Sequence, residues 1–477
     1  MLVLSVPKVQ TRLGKYATTR INTKYGTHIN VEQLGLQFNG DVVLKKIYIE
    51  DYKKDTLIYA SKLNTSIINV PNLVSGYLTF GDININDVVF NVKSYKGDKG
   101  TNLDAFVDRF LVKKTSTKKS EFLLSSSDVS VHNAVFNLID ENKSTKELLL
   151  LKNVNINATN FLIKGPRVSM RVNTLNFKDK RGFELENLST DFSYTLHDMK
   201  FLNLNLKTKK SYLIGDVSFF YKRSDFKHFV DKVKLEANFK NSKVYFADLN
   251  HFYNEFATGQ YAYFNANLMG TLNRLAVANV KLKTNKNTKL FGDFIFKNLL
   301  KVEPNTFFMD ANLKNLTSNY QDFTGILPRV LKKNIPKLFN KLGTFVLTGN
   351  TQVTAKRVVA NVALETDIGA VTTNVDIDNV YKTNKVKYNG TIALNNFNLG
   401  TMLGQPKLGL VTLNMEAKGT GFTAKSINTK LKGAVFNAYY NNYNYKNLNV
   451  AGYFHNKIFD GNLVAKDPIL KLDFVAL

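Results

Sequence analysis

Cysteine and tryptophan are both absent from this 477-residue chain. Without cysteine there is no disulfide, no thiolate metal site and no cysteine nucleophile, a usage compatible with an oxidising compartment. The signatures of catalysis are missing too: no HExxH, GxSxG, P-loop or helix-opening GxGxxG occurs. The six histidines (His28, His132, His197, His228, His251, His455) are scattered. His251 with Glu255, and Asp225 with His228, stand at helical spacing and read as surface pairs. In IEDYKKDTL, Asp51 and Asp55 lack the further oxygen ligands of a calcium loop, so the stretch reads as a turn between strands. These residues point to no catalytic site, no metal and no cofactor. The opening stub Met1–Val6 is mostly apolar but far shorter than the about 20 residues that span a bilayer.

Charge is plentiful and lopsided. There are 65 Lys and Arg against 38 Asp and Glu, a net +27. Such a balance could attract nucleic acid or an anionic membrane. Lys, Asn, Ile, Phe and Tyr are all abundant, however, the profile of a nucleotide-composition bias. The lysines also run along the whole chain, whereas nucleic-acid binders gather charge on one face with Arg at the contacts. Nucleic acid is therefore set aside as a partner.

The first segment reads as a helix over 7–26. Val9, Leu13, Tyr16, Ala17 and Ile21 make one apolar stripe, Lys8, Arg12, Lys15 and Arg20 the opposite face, and Gly26 a stop. A basic helix of this kind can lie on a membrane surface or cap the first strands. From Ile29 the period changes to two, as in INVEQLGLQF, VVLKKIYI and FLNLNLKTK. Leu202, Leu204 and Leu206 are read on one face, with Asn203, Asn205 and Lys207 on the other. The alternation slips at Asp87, between Ile85 and Val88, which reads as a β-bulge. Antiparallel meanders with one solvated face follow. Short helices are expected at 102–111 and 224–233 behind Asn or Ser caps, and at 248–256 behind Asp248. A longer one at 319–343 carries Phe323, Ile326, Leu327, Val330 and Leu331 and is divided by Pro328 and Pro336. The polar run VKKTSTKKS reads as a loop.

A weak repeat is visible. ANFKNSKVYFADLNHF (237–252), ANLKNLTSNYQDF (311–323) and IALNNFNLGTML (392–403) each join a strand to a short apolar segment. Gly270, Gly349 and Gly419 hold equivalent places after them, at spacings that suggest a unit stacked on copies of itself.

Residues 5–63, with the P-x-VQ opening and the later D-x-x-x-DTL, resemble the start of AsmA-like proteins, in particular the TamB-type proteins of Bacteroidota. SDFKHFVDKV, VYFADLNHF and NYNYKNLNVAGYFHNKIFDGNLVAKDP are also similar to that family, in the same order. The resemblance implies an N-terminal transmembrane anchor of which residues 1–6 (Leu2, Val3, Leu4) are the remnant, then a juxtamembrane helix over 7–26. It also implies a first AsmA-like β region over 27–235 and a repetitive one over 236–477 that continues in a longer protein.

The expected fold is mainly β, an elongated, curled antiparallel sheet forming a trough, with a few short amphipathic helices. The resemblance implies a non-enzymatic protein anchored in the inner membrane with its bulk in the periplasm of a Gram-negative bacterium. Its partners would be phospholipid acyl chains, the inner membrane and an Omp85-type outer-membrane barrel. An apolar groove open to water calls for a lipid or a partner to cover it. Candidate lining residues are Val88, Phe90, Val92, Leu202, Leu204 and Leu206, with Ile156 and Leu268. The same alternation fits an ordinary sandwich core. Two other roles stay open at this point: an assembly factor engaging polypeptides by strand addition, and a passive β-solenoid.

Overall fold

Strand follows strand with short turns almost throughout the chain. The computed structural model describes residues 7–37, 41–67, 77–110, 122–252, 256–299, 306–327, 329–332, 335–382, 384–423, 425–467 and 471–475. The proposed anchor remnant (Leu2, Val3, Leu4), all of VKKTSTKKS, Glu255 and Pro328 lie outside them. Two units form, Met1–Ser242 and Lys243–Leu477. The division falls inside the eleventh strand, a few residues beyond the boundary expected from sequence.

In the first unit, α1 (Pro7–Tyr25) precedes β1 (His28–Leu36), β2 (Asp41–Glu50), β3 (Thr56–Ile67) and β4 (Tyr77–Ser94). Then come α2 (Asn102–Asp108), β5 (Leu123–Asp140), β6 (Glu147–Lys164), β7 (Arg167–Asp179), β8 (Glu184–Tyr194), β9 (Asp198–Thr208) and β10 (Tyr212–Phe220). A 3-10 turn (Arg223–His228), α3 (Phe229–Lys232) and β11 (Lys234–Tyr245) complete it. Every ladder from β1–β2 to β9–β10 is antiparallel except β4–β5, which is parallel. That exception corrects the all-antiparallel expectation. The long connection after Ser94, which contains α2, returns the chain to the starting end, as a parallel crossover requires.

Helix α1 runs along the outer edge of β1. Gln10 Nε2 donates to the Leu36 carbonyl at 3.0 Å. Near the other end, Asn22 accepts from the Ile29 N–H at 2.9 Å and donates to its carbonyl at 2.8 Å. An unpaired strand edge is thereby covered. Gln10 is buried, while Tyr16 of the expected apolar stripe is 67% exposed. Gly26, at φ +67, ends the helix as expected.

Helix α2 is held from two sides. Its cap is Thr101, in a capping box with Asp104, rather than Asn102. Asn102 is fully buried instead: it donates to Asp51 Oδ2 at 3.0 Å and to the Asn91 carbonyl at 3.1 Å, and accepts from the Lys93 N–H at 2.8 Å. Asp51 caps the β2–β3 turn and also accepts from the Tyr95 hydroxyl at 2.6 Å. On the far side, Arg223 Nε and Nη2 donate to Asp104 Oδ1 at 3.0 and 2.8 Å, and Nη1 reaches Asp108. Six strand positions separate β4 from β10, about 29 Å on a flat sheet. The clamp therefore requires the first unit's sheet to curl.

Burial alone would raise the Asp51 pKa, but hydrogen bonds from Tyr95, Asn102 and two backbone N–H groups outweigh it and hold the carboxyl below its ordinary value. A depressed carboxyl adds stability that is complete above its unfolded pKa of about 3.9 and is lost as pH falls through the lower folded value. Asn102→Ala removes three hydrogen bonds and leaves Asp51 short of a donor, for an expected loss of about 2–4 kcal/mol. Urea midpoints at pH 7 test this. Repeating them at successively lower pH should show a shallower acid decline in the variant, because Asp51 is then less depressed.

The second unit contains α4 (Phe246–Asn250), β12 (Tyr261–Thr271), β13 (Arg274–Thr284), β14 (Lys289–Lys297) and β15 (Phe308–Asn319). It continues with α5 (Tyr320–Ile326), α6 (Arg329–Lys332), a 3-10 turn (Lys337–Leu342), β16 (Thr344–Thr354), β17 (Arg357–Thr366), β18 (Gly369–Asp378) and β19 (Lys387–Asn398). The last elements are α7 (Leu399–Leu403), β20 (Leu408–Thr420), β21 (Asn428–Tyr440), β22 (Tyr443–His455), β23 (Ile458–Lys466) and β24 (Lys471–Val475). All ladders here are antiparallel between sequence neighbours. Among the described residues none closes either sheet on itself.

The repeat is four strands long. A strand followed by a short helix recurs as β11–α4, β15–α5 and β19–α7, and Asn319 and Asn398 cap the latter two helices with their side chains. Asp248 lies inside α4 rather than capping it. The expected 319–343 helix is divided, with Pro336 as N-cap of the 3-10 turn.

Candidate functional site

Cross-strand registers show which side chains share a face. In the first unit one row reads Leu34, Leu44, Leu63, Ile85, Val131, Ile156, Leu175 across β1–β7. Another reads Ile29, Ile49, Ile58, Phe90, Phe136, Leu151, with the Phe90 and Phe136 rings edge to face at 5.4 Å. Val88 extends a row through Val31, Ile47 and Ala60, and Val92 stands opposite Leu138. Five of the expected lining positions thus fall on one apolar face of β4 and β6 or, for Leu268, in a corresponding row of the second unit.

Asp87 is not a bulge in the ladders with β3 and β5, because both registers run through it without a shift. It takes a left-handed backbone, φ +52, and the strands beside it step at matching places: Leu44 to Ile47, Ala60 to Leu63, Val131 to Ala134. A three-residue step between apolar positions keeps both halves of each strand facing the same way across a crease. Left-handed residues recur elsewhere, and among the described residues thirteen of the seventeen that are not glycine are Asn, which tolerates this conformation well. At four of these residues the backbone N–H is taken up by a side chain of the adjacent strand. Asn133 N–H donates to Asn155 Oδ1 at 3.0 Å, Asn203 to Asp216 Oδ1 at 2.8 Å, Asn279 to Asp293 Oδ1 at 2.7 Å and Asn396 to Thr412 Oγ1 at 3.1 Å.

The crease at Asn203 corrects the reading of FLNLNLKTK. Phe201 pairs with Val217 and Leu204 with Gly215, so three steps on β9 match two on β10. Phe201, Leu204 and Leu206 therefore share the apolar face, and Leu202 falls on the other with Asn205, 40% exposed. Simple alternation across a left-handed residue assigns the wrong side.

The second unit carries the most regular face. One row reads Phe264, Leu282, Leu290, Leu316, Leu347, Leu364, Val371, Leu394, Leu413, Val435, Leu448, Ala465, one residue from each strand of β12–β23. A parallel row starts at Leu268, Val277, Phe294 and Ala311. On the opposite face, Asn312, Asn350, Asn361 and Asn374 stand in one row and are exposed.

Glycines interrupt the apolar rows at Gly349, Gly390 and Gly433, where a Cβ would come within 2.3, 2.1 and 2.1 Å of a backbone oxygen of the adjacent strand. The apolar face is not filled like a sandwich core. Of the twelve residues in the long row, only Leu316, Leu394 and Ala465 are buried, and the others keep intermediate exposure. Two of the three lie under the repeat's helices: Phe323 of α5 packs against the cluster of Ala311, Leu313, Leu316 and Phe345, and Met402 of α7 against Leu342, Leu394 and Phe397.

No cluster of potential metal ligands and no helix long and apolar enough to cross a membrane occurs among the described residues. Compared with protein-family models, curated proteins and solved structures, the chain matches none of them significantly.

Proposed function

We propose that the apolar face is a track for phospholipid acyl chains and that the protein moves lipid between the inner and outer membranes of a bacterial envelope. The observation that carries this reading is the aliphatic row crossing twelve consecutive strands while most of its members remain half-exposed. Burying a methylene there is worth about 0.8 kcal/mol at any position. A uniform lining holds a chain without a specific pocket and lets it shift between equivalent sites, while head groups stay at the wet rim. The envelope setting and an Omp85-type partner rest on the AsmA-like resemblance. Strand addition at the first edge is disfavoured, because α1 already covers β1. The test is purification without detergent from a periplasmic expression host, followed by lipid extraction and mass spectrometry. Phospholipid at or above one per chain is expected; a folded, lipid-free protein would overturn the reading.

A further inference from the structure

A cleft of about 800 Å³ lies between the first half of α1 and strands β1–β3. Arg12 and Lys15 from the helix and Lys45 and Lys62 from β2 and β3 line it, and no carboxylate does. All four cations are exposed, and none of them pairs with an acidic group among the described residues. Several other cations of the first unit are paired: Lys46 with Glu32, Arg171 with Asp191, and Lys178 and Lys209 with Glu184. Lys45 and Lys62 moreover stand directly opposite each other in the β2–β3 ladder. Like charges in that relation destabilise a sheet. Gly35 in the cleft has only Val43 O within 4 Å of a would-be Cβ, so the space there is left open. Glutamines 10, 33 and 37 complete the lining with neutral amides.

We propose that this cleft binds a phosphate-bearing anion, held by Lys45 and Lys62 from the sheet and by Arg12 and Lys15 from the helix. Arg can grip two phosphate oxygens at once, and the lysines supply point charges around them. A bound dianion would relieve the Lys45–Lys62 repulsion and tie α1 to the sheet. The cleft borders the apolar row at Leu34, but its four cations lie outside that row, so the anion site is tested apart from the lipid track.

The full chain is tested with two probes, glycerol 3-phosphate in equilibrium dialysis and phosphatidylcholine vesicles with or without phosphatidylglycerol in flotation. The double variant Lys45→Gln/Lys62→Gln is compared with Lys356→Gln/Lys385→Gln, which removes the same charge from exposed positions of the second unit. The expected result is binding by the parent that weakens about tenfold in the first variant and is unchanged in the second. Binding in dialysis alone identifies a free phosphate ester; binding to the anionic vesicles that depends on Lys45 and Lys62 identifies a lipid head group. Binding of neither probe by the parent, or equal losses in both variants, would overturn the proposal. In the latter case net charge, not a site, attracts the anion.

Discussion

Leu413→Asp is expected to lower co-purifying phospholipid about tenfold or more, while Leu413→Ala leaves it within about twofold. Leu413 sits in the long aliphatic row between Leu394 and Val435, half-exposed rather than buried, so the protein should fold with either side chain. The asymmetry between the variants comes from what an acyl chain meets there. Each carbon–carbon contact is worth only about 0.1–0.2 kcal/mol, and a chain lying along the row touches many residues, so trimming one leucine removes a small share. A carboxylate in the same place must be desolvated by the passing chain or pushed out of the groove, at a cost of several kcal/mol. Each 1.4 kcal/mol is tenfold in occupancy. Leu347→Asp, four strands away, should act alike, since the lining is uniform. Extraction and mass spectrometry read the lipid, and thermal unfolding checks the fold. Lipid unchanged in both aspartate variants would mean that it sits elsewhere, and the track would have to be abandoned.

How far this face could be read without coordinates depended on the creases. Val88, Phe90 and Val92 were legible because their segment lies wholly on one side of Asp87, where period two holds. Leu202 was not, because alternation assumes an unbroken extended backbone, and Asn203 turns the chain left-handed between it and Leu204. The signal was present in the asparagines placed within apolar alternations, as in LNLNL. Their abundance was attributed to nucleotide composition, whereas many of them occupy positions where other side chains are strained. The repeat was visible as recurring glycines, but its content of four strands and one helix depended on pairings that sequence spacing alone does not supply. The parallel β4–β5 ladder had no local signature at all, because it is fixed by a long connection rather than by the strands it joins. Helix α1 was placed correctly, but the role of Gln10 was not legible: nothing in the sequence marks a glutamine that is buried and satisfies a strand edge.

Gly349→Ala should cost more than any conservative change on the outer face, about 4 kcal/mol or more. Two penalties coincide at this residue. Its φ of +118 lies in a region that residues with a Cβ rarely enter, worth about 1–3 kcal/mol. The added Cβ would also stand 2.3 Å from the Asn361 carbonyl oxygen and 2.8 Å from the Val362 Cα, both backbone atoms that no side-chain rotation can move aside. Gly259→Ala separates the two terms. Gly259 is left-handed as well, at φ +87, but nothing lies within 4 Å of its would-be Cβ, so only the conformational penalty of about 1 kcal/mol remains. The difference between the two urea midpoints therefore measures how firmly the β17 backbone is held against Gly349. Gly270, at φ +125 and with a backbone oxygen 2.2 Å from its would-be Cβ, should behave like Gly349, whereas Gly419, which meets a backbone oxygen at 2.4 Å without the left-handed backbone, should show the contact penalty alone. Equal losses for Gly349→Ala and Gly259→Ala would mean that the β17 backbone yields to the added methyl at little cost. A large difference means that the β16–β17 ladder holds its place against the methyl, so that only glycine fits at this point of the apolar row.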